Sequence, residues 1–522
     1  VTLEVRHAFH PGELWAPLAG LGETGWWLAA WLGLAWALAI AARRVPGAAA
    51  GAVAVLAVAL AGGLLLHGLL LNPVLDHRPV GAWPVVNLLL WAYGTPLVLL
   101  LLIDRELTRQ GRPRAALAAR AGALVAGFLL VTLEVRHAYR GPYLDAQEVG
   151  FAEWGGLITA WAALALLLHL AGRRWPRRGL EVAGDAVSLV ALLGLVAGPL
   201  IAGNPLLAPI DVGRLPVFNL LLWVYGAPAL ALAALARELA RRPAATEGPA
   251  RLVGARLAGW TAAVLAVALV TLEVRQAFQG PFLHRPEIRF AEWGALIVAW
   301  LAAAALPLAA ARRFPGRDLQ GRDLQALGDG LVVLALIGLA AGPLFAANPL
   351  WSHRAVGSLP VLNLLLWTYG APALLLAVHA AARRERRPAL GRAAGVGSLV
   401  LVFLLVTLEV RQAFHGSYLD AGAATHGEQY AYSAAWVLLG TVLLAAAIAR
   451  RGSRALRLAS LAVMALAVGK VFLYDTAHLT DLYRVLSFLG LGLSLLLLAW
   501  IYQRFVFRDE PAPPPSPAAP GG

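Results

Sequence analysis

A glutamate and an arginine two residues apart recur four times, always inside the pentapeptide Thr-Leu-Glu-Val-Arg: Glu4 with Arg6, Glu134 with Arg136, Glu273 with Arg275, and Glu409 with Arg411. On a helix, positions i and i+2 point about 200° apart, so each glutamate and its arginine must find partners on different neighbours. A second glutamate opens the next apolar run at Glu23, Glu153, Glu292 and Glu428. It is the nearest candidate for the arginine, as Glu153 is for Arg136. Ionisable groups close to hydrocarbon are costly unless paired. The pattern therefore reads first as an interhelical clamp and second as a set of substrate contacts. Recurrence favours the clamp, because a catalytic centre needs one constellation whereas packing has to be solved in every copy.

Glu134 and His137 also form a Glu-x-x-His pair of the kind that holds di-iron in helical bundles, repeated at Glu4 and His7. Gln276 and Gln412 stand where later copies would need the histidine, and no further carboxylate-rich helix completes a ligand set. No metal and no cofactor is expected. Asparagines form a third group: Asn72, Asn204 and Asn348 close one set of apolar runs, and Asn87, Asn219 and Asn363 lie inside Pro-Val-x-Asn-Leu-Leu-Leu-Trp-x-Tyr-Gly-x-Pro, which begins at Pro84, Pro216 and Pro360. Proline and glycine around them interrupt helices, and the freed carbonyls can line a cavity or be met by the asparagine side chains. Interrupted helices in corresponding positions point to a transport site; Pro and Gly are also simply commoner in membrane helices. The Trp and Tyr of this motif read as packing or interface anchors.

The last copy departs from the pattern. Gly-Pro-Leu-Phe-Ala-Ala-Asn at 342–348 becomes Gly-Lys-Val-Phe-Leu-Tyr-Asp at 469–475, so that Lys470, the single lysine, replaces a proline and Asp475 an asparagine. Tyr474, Asp481 and Arg484 lie close by in sequence. This cluster is the candidate for electrostatic positioning of an anionic group; a snorkelling lysine paired with Asp475 is the structural alternative.

What must position these groups is a series of apolar runs. The chain has 522 residues, 60% hydrophobic and 14% charged, with mean hydropathy +0.70, whereas soluble domains carry about 25% charge. A water-soluble enzyme is excluded. The 43 basic and 29 acidic residues give net charge +14, but the positive residues sit in short clusters between apolar runs without interleaved aromatics, so no nucleic-acid partner is expected. The absence of cysteine excludes disulfides, thiolate metal sites and cysteine nucleophiles. No P-loop, Gly-x-Ser-x-Gly or His-Glu-x-x-His motif is present, and no Gly-x-Gly-x-x-Gly opens a helix after a strand.

Runs of about 20 apolar residues, enough to cross a ~30 Å hydrocarbon layer, come in groups of four, which we label a to d. The pentapeptides step by 130, 139 and 136 residues, and so do the glutamates that open helix b. The tandem Gly-Arg-Asp-Leu-Gln at 316–325 reads as a loop expansion. The second copy places helices at 114–138, 152–172, 183–203 and 216–238; the third at 251–278, 291–311, 326–347 and 360–382; the fourth at 393–414, 428–449, 455–475 and 485–505. The first keeps 23–42, 50–71 and 84–103 with only the end of helix a, so the chain is expected to begin partway through a span as the carboxy-terminal portion of a longer protein. The expected fold is an all-α polytopic membrane protein of about 15 complete transmembrane helices and a truncated first one, in four parallel four-helix repeats. Their bounds are 1–113, 114–250, 251–392 and 393–508, followed by a disordered cytoplasmic tail at 509–522. The b–c and d–a loops with the tail carry 31 arginines against 12 acids; the opposite flank carries 11 arginines, Lys470 and 17 acids. Counting positive charge as inside puts the arginine-rich loops in the cytoplasm and the motif-bearing ends outside.

The Thr-Leu-Glu-Val-Arg-x-Ala-Phe segment, Glu428–Trp436, Lys470-Val-Phe-Leu-Tyr-Asp, the run from Leu482 through Tyr-Arg-Val-Leu-Ser-Phe-Leu-Gly-Leu-Gly, and Tyr502-Gln-Arg-Phe resemble the DUF2339 family of predicted bacterial membrane proteins. The resemblance is most specific over about 405–505. It implies a long polytopic protein and no established activity. The expectation is a bacterial inner-membrane protein that handles an anionic or lipid-linked envelope substrate at the outer leaflet. The alternatives are a membrane-embedded transferase acting on a lipid-linked precursor and a non-catalytic scaffold for envelope assembly. Membrane lipids and envelope-assembly proteins are the expected partners.

Overall fold

Each a-type helix opens on a proline and closes on a glycine, the residues that those two ends favour. Proline has no N–H to leave unbonded in the first turn, and glycine accepts the positive φ that turns the chain away. In the computed structural model these helices are α4 (Pro113–Arg140), α8 (Pro249–Gln279) and α12 (Pro388–His415), followed by Gly141, Gly280 and Gly416 at φ 72°, 78° and 70°. The structure describes residues 2–12, 20–43, 72–145 except 76, 148–175, 178–241, 249–313, 319–449 and 454–472, with isolated positions between 50 and 71 and between 489 and 500.

The other described helices are α1 (Thr2–Phe9), α2 (Leu21–Ala41), α3 (Thr95–Arg109), α5 (Phe151–Arg174), α6 (Arg178–Leu195), α7 (Ala227–Ala240), α9 (Phe290–Arg313), α10 (Leu319–Ala341), α11 (Ala371–Arg383), α13 (His426–Ala449) and α14 (Arg454–Lys470). Single π-helical turns extend α6 (Val196–Ala202) and α10 (Gly342–Ala346) and precede α3 (Leu90–Gly94), α7 (Leu222–Gly226) and α11 (Leu366–Gly370). The described residues form no strand, only isolated bridges between Asp211 and Phe282 and between Ala355 and Tyr418. Among the described residues ten helices are long and apolar enough to cross a membrane, and their surfaces present large hydrophobics such as Leu167, Leu189, Leu230, Val264 and Leu438.

Two compact units divide the chain, Val1–Pro286 and Glu287–Gly522. In the first, α3 packs along α4 and α7 along α8, so helix d of one copy lies against helix a of the next. The second unit repeats the arrangement with α11 and α12. The cores are built from alanine and leucine: Leu157, Ile158, Ala162, Leu221, Leu232 and Leu265 in one cluster, and Leu32, Ala35, Leu100, Ile103, Ala119 and Ala123 in another. Small alanines let helices approach closely where lipid offers no hydrophobic drive to bring them together.

Three boundaries differ from the sequence reading. Helix d does not begin at Pro84, Pro216 or Pro360: the first helical residues are 88, 220 and 364, and the Pro-Val-x-Asn segments are turns. The reason is local, since asparagine ends the turn by capping the helix that follows it. The second Gly-Arg-Asp-Leu-Gln lies inside α10, so the duplication lengthens that helix and is not purely loop. Helix c of the first copy, helix d of the fourth and the 509–522 tail lie outside the described residues.

Candidate functional site

The motif-bearing end is organised around three strained turns. Val85, Val217 and Val361 have φ of 67°, 68° and 67°, a region that a β-branched residue rarely enters. The following amide reaches back across each valine, Val86 N to Pro84 O, Phe218 N to Pro216 O and Leu362 N to Pro360 O, all at 2.8 Å. These are γ-turns of the positive-φ kind, costly by about 1–3 kcal/mol each and kept only where the surroundings over-determine them. The restraint is the pentapeptide glutamate of the next copy. Val85 N donates to Glu134 Oε2 at 3.0 Å, Val217 N to Glu273 at 2.8 Å and Val361 N to Glu409 at 2.9 Å. Asn219 and Asn363 Nδ2 donate to the same oxygens at 3.0 Å.

The rest of the pentapeptide serves the same junction. Arg136 donates from Nε and Nη2 to Leu144 O, and its Nη1 lies 3.2 Å from Glu153. Arg411 donates to Leu419 O, Gly422 O and Glu428, and Arg6 lies 3.3 Å from Glu23. Arg275 donates to Leu283 O and Arg285 O. Glu292 and Glu428 are fully buried. Arg140 supplies a second cation to Glu153 at 2.8 Å, and His415 Nε2 lies 2.8 Å from Glu428. Thr132 and Thr407 accept from the indoles of Trp161 and Trp436.

His137 turns away from Glu134, its Nε2 lying 2.8 Å from Gly81 O, while Gln276 and Gln412 donate to Gly213 O and Gly357 O at 3.1 Å. Histidine and glutamine interchange there because either can donate one hydrogen bond to the same carbonyl. Among the described residues no group of three or more His, Cys, Asp and Glu could hold a metal.

Both asparagine sets sit at helix ends. Asn87, Asn219 and Asn363 accept from the second and third amides of helix d, Leu89 N, Leu221 N and Leu365 N each at 2.8 Å, which is helix N-capping. Asn72, Asn204 and Asn348 accept from the amides two residues on. The π-helical turns that sequence did not show are nearby. Pro199 and Pro343 lie in them, and the Tyr225 and Tyr369 hydroxyls donate to their carbonyls at 3.0 and 2.7 Å. Gly198 and Gly342 face the indoles of Trp154 and Trp293 so closely that a Cβ would lie 2.4 Å from the ring. The fourth copy has Gln429 where Trp stands, and among the described residues nothing lies within 4 Å of where a Cβ on Gly469 would stand. Lys470 there donates to Gln429 O at 2.7 Å and Ser433 Oγ at 2.8 Å. Tyr474, Asp475, Asp481 and Arg484 lie outside the described residues.

A cavity of about 410 Å³ adjoins this machinery in the first unit, walled by Leu129, Leu133, Leu157, Trp154 and Trp161, with Thr132, Arg136 and Asn72 among its lining. The residues that sequence reading missed lie at the arginine-rich end. Glu106 is buried and takes two hydrogen bonds from Arg43, one at 2.8 Å. Asp104 takes two from Arg120, and Glu238 lies 3.6 Å from Arg173. Arg383, 2% exposed, holds Asp329 at 2.8 Å, Gly328 O and His379. The signal was present: Glu106 and Glu238 are as far apart as Pro84 and Pro216. Hydrogen bonding from Arg43 holds the Glu106 carboxyl down at about 2.

Long apolar helices that bury charges against partners, such as Glu153 against Arg136 and Glu428 against Arg411, define a multi-pass helical membrane protein. The chain belongs to the DUF2339 family, described as predicted membrane proteins, which matches residues 1–192, 182–322 and 289–505. Comparison with curated proteins and with solved structures gives no match.

Proposed function

We propose that this protein receives an anionic or lipid-linked envelope substrate at the outer leaflet of the bacterial inner membrane, and that the cavity beside α4 is the berth. The cavity carries the reading. Its volume of about 410 Å³ falls in the range of roughly 300–1,000 Å³ of ligand pockets, which are apolar with a few polar groups that fix orientation. Apolar walls suit a hydrocarbon chain, and Arg136 with Asn72 suits the polar group attached to it. The positive-inside bias supports the sidedness, with the arginine-rich loops and carboxy terminus cytoplasmic. In the same reading the fourth copy positions an anionic group through Lys470, Tyr474, Asp475, Asp481 and Arg484. The Glu134, Arg136 and Glu153 set, and its counterparts Glu273, Arg275 and Glu292 and Glu409, Arg411 and Glu428, act as clamps.

The test is photolabelling of reconstituted protein with a photoactivatable phosphatidylglycerol. Labelled peptides are expected from α4 and α5, and Leu129→Trp, which fills the cavity, is expected to cut that labelling at least fivefold. Labelling confined to other segments, or unchanged by Leu129→Trp, overturns the berth. Lys470→Met at normal abundance is expected to abolish the deletion phenotype's complementation, and full complementation removes that cluster from the site. The scaffold reading is favoured by one observation, the recurrence of the same buried ion pairs in successive copies; it requires that charge substitutions lower abundance and change nothing else.

A further inference from the structure

The three Pro-Val-x-Asn turns are apolar, outward-facing and built without helix. Trp83 is 76% exposed, Phe218 78% and Leu362 74%, and Val85, Val217 and Val361 are exposed beside them. From Pro84 to Trp91 the sequence contains no charged residue, and neither do Pro216–Trp223 or Pro360–Trp367. Exposed apolar loops in water normally leave their amides to the solvent. These do not. In the first turn the amides of Val85, Val86, Leu88, Leu89 and Leu90 bond in order to Glu134, Pro84 O, Val80 O and twice to Asn87 Oδ1. The second turn does the same with Glu273, Pro216 O, Val212 O and Asn219, and the third with Glu409, Pro360 O, Val356 O and Asn363. Proline contributes no N–H, and the asparagine amide groups cover Trp83 O, Leu215 O and, in two turns, a glutamate oxygen.

Non-helical backbone survives in hydrocarbon only when its polar groups are met from within the protein. The turns satisfy that condition at five of the six amides from the valine to the third residue of the helix, the asparagine's own amide being the exception, and the helices that follow them carry partly exposed leucines in their first turn, Leu90, Leu222 and Leu366. We infer that the Pro-Val-x-Asn turns are immersed in the acyl-chain layer of the leaflet at the motif-bearing end, as a non-helical lipid contact repeated in each of three copies. The strain at the valines fits this assignment. The γ-turn closes the amide that follows the valine, and the glutamate takes the valine's own amide, which the turn leaves open.

The chain lacks cysteine, so single cysteines report depth without background. Val86→Cys, Phe218→Cys and Leu362→Cys, each spin-labelled in nanodiscs of phosphatidylethanolamine and phosphatidylglycerol, should relax at least fivefold more strongly with oxygen than with a water-soluble nickel chelate. They should resist a membrane-impermeant maleimide at least tenfold more than His353→Cys, whose native side chain is 72% exposed on the same connection as Leu362. Water-like accessibility at Phe218→Cys and Leu362→Cys overturns the assignment. So does protection from both oxygen and nickel, which would mean that protein, a second copy or a partner, covers the turns. Three positions in independent copies keep the test decisive if one variant fails to fold.

Discussion

A carboxylate that accepts the amide of a strained valine does work that neither residue type suggests alone. Glu273 accepts from Val217 N and Asn219 Nδ2, and truncating it leaves two donors unmet, at about 1–3 kcal/mol each where water does not reach them. Glu273→Ala is therefore expected to lower thermal stability in detergent by roughly 2–4 kcal/mol, with Glu273→Gln costing less because an amide oxygen still accepts from the valine. Adding Val217→Gly should return part of the Ala deficit, since glycine removes the strain of about 1–3 kcal/mol for an entropy cost of about 0.5–1 kcal/mol. The double-mutant cycle measures it, and strictly additive effects would detach the carboxylate from the turn. Residue types alone suggested that Glu134 and its counterparts sit apart from the arginines. They did not show the target, because no side-chain pattern marks a backbone amide as the partner, and a valine is the residue least expected at positive φ.

Elements explain why the copies are not interchangeable. The π-helical turn at Gly198 exists beside an indole, and Gly198→Ala or Gly342→Ala would press a Cβ into Trp154 or Trp293. Such overpacking is expected to cost about 1–3 kcal/mol, whereas Gly469→Ala should cost less, because no atom of the described residues comes within 4 Å of where its Cβ would stand. Thermal unfolding of the three variants checks this, and Trp154→Gln should relieve Gly198→Ala. Helix periods and end signals made the a and b helices legible, to within a few residues in the second copy. The start of helix d was hidden because Pro-Val-x-Asn-Leu-Leu-Leu continues an apolar run without a break in hydropathy. At the other end of helix d, Arg43 depresses Glu106 from an ordinary 4.5 to about 2. A depressed carboxylate contributes stability above its unfolded value and loses that contribution as the pH falls through the folded one. Melting temperature should therefore fall more steeply between about pH 4.5 and 2 in the native chain than in Glu106→Gln; equal slopes would show that the pair is not coupled to folding.

For the whole molecule, the family membership and the ten candidate spans among the described residues establish a multi-pass membrane protein. Composition alone gave that class, because hydrocarbon imposes length and apolarity on every crossing. The buried acids of the arginine-rich end were not legible as partners: Asp104, Glu106 and Glu238 sit among many charges in sequence, and only the fold selects which arginine each one meets. One consequence follows from the bond between each pentapeptide glutamate and the preceding copy's turn. The sequence repeat and the bonding of turn to glutamate are out of phase by one helix. A segment cut at 114–250 carries Val217 without Glu273, while a segment at 151–286 carries both, so the mortar of each turn is encoded in the neighbouring copy.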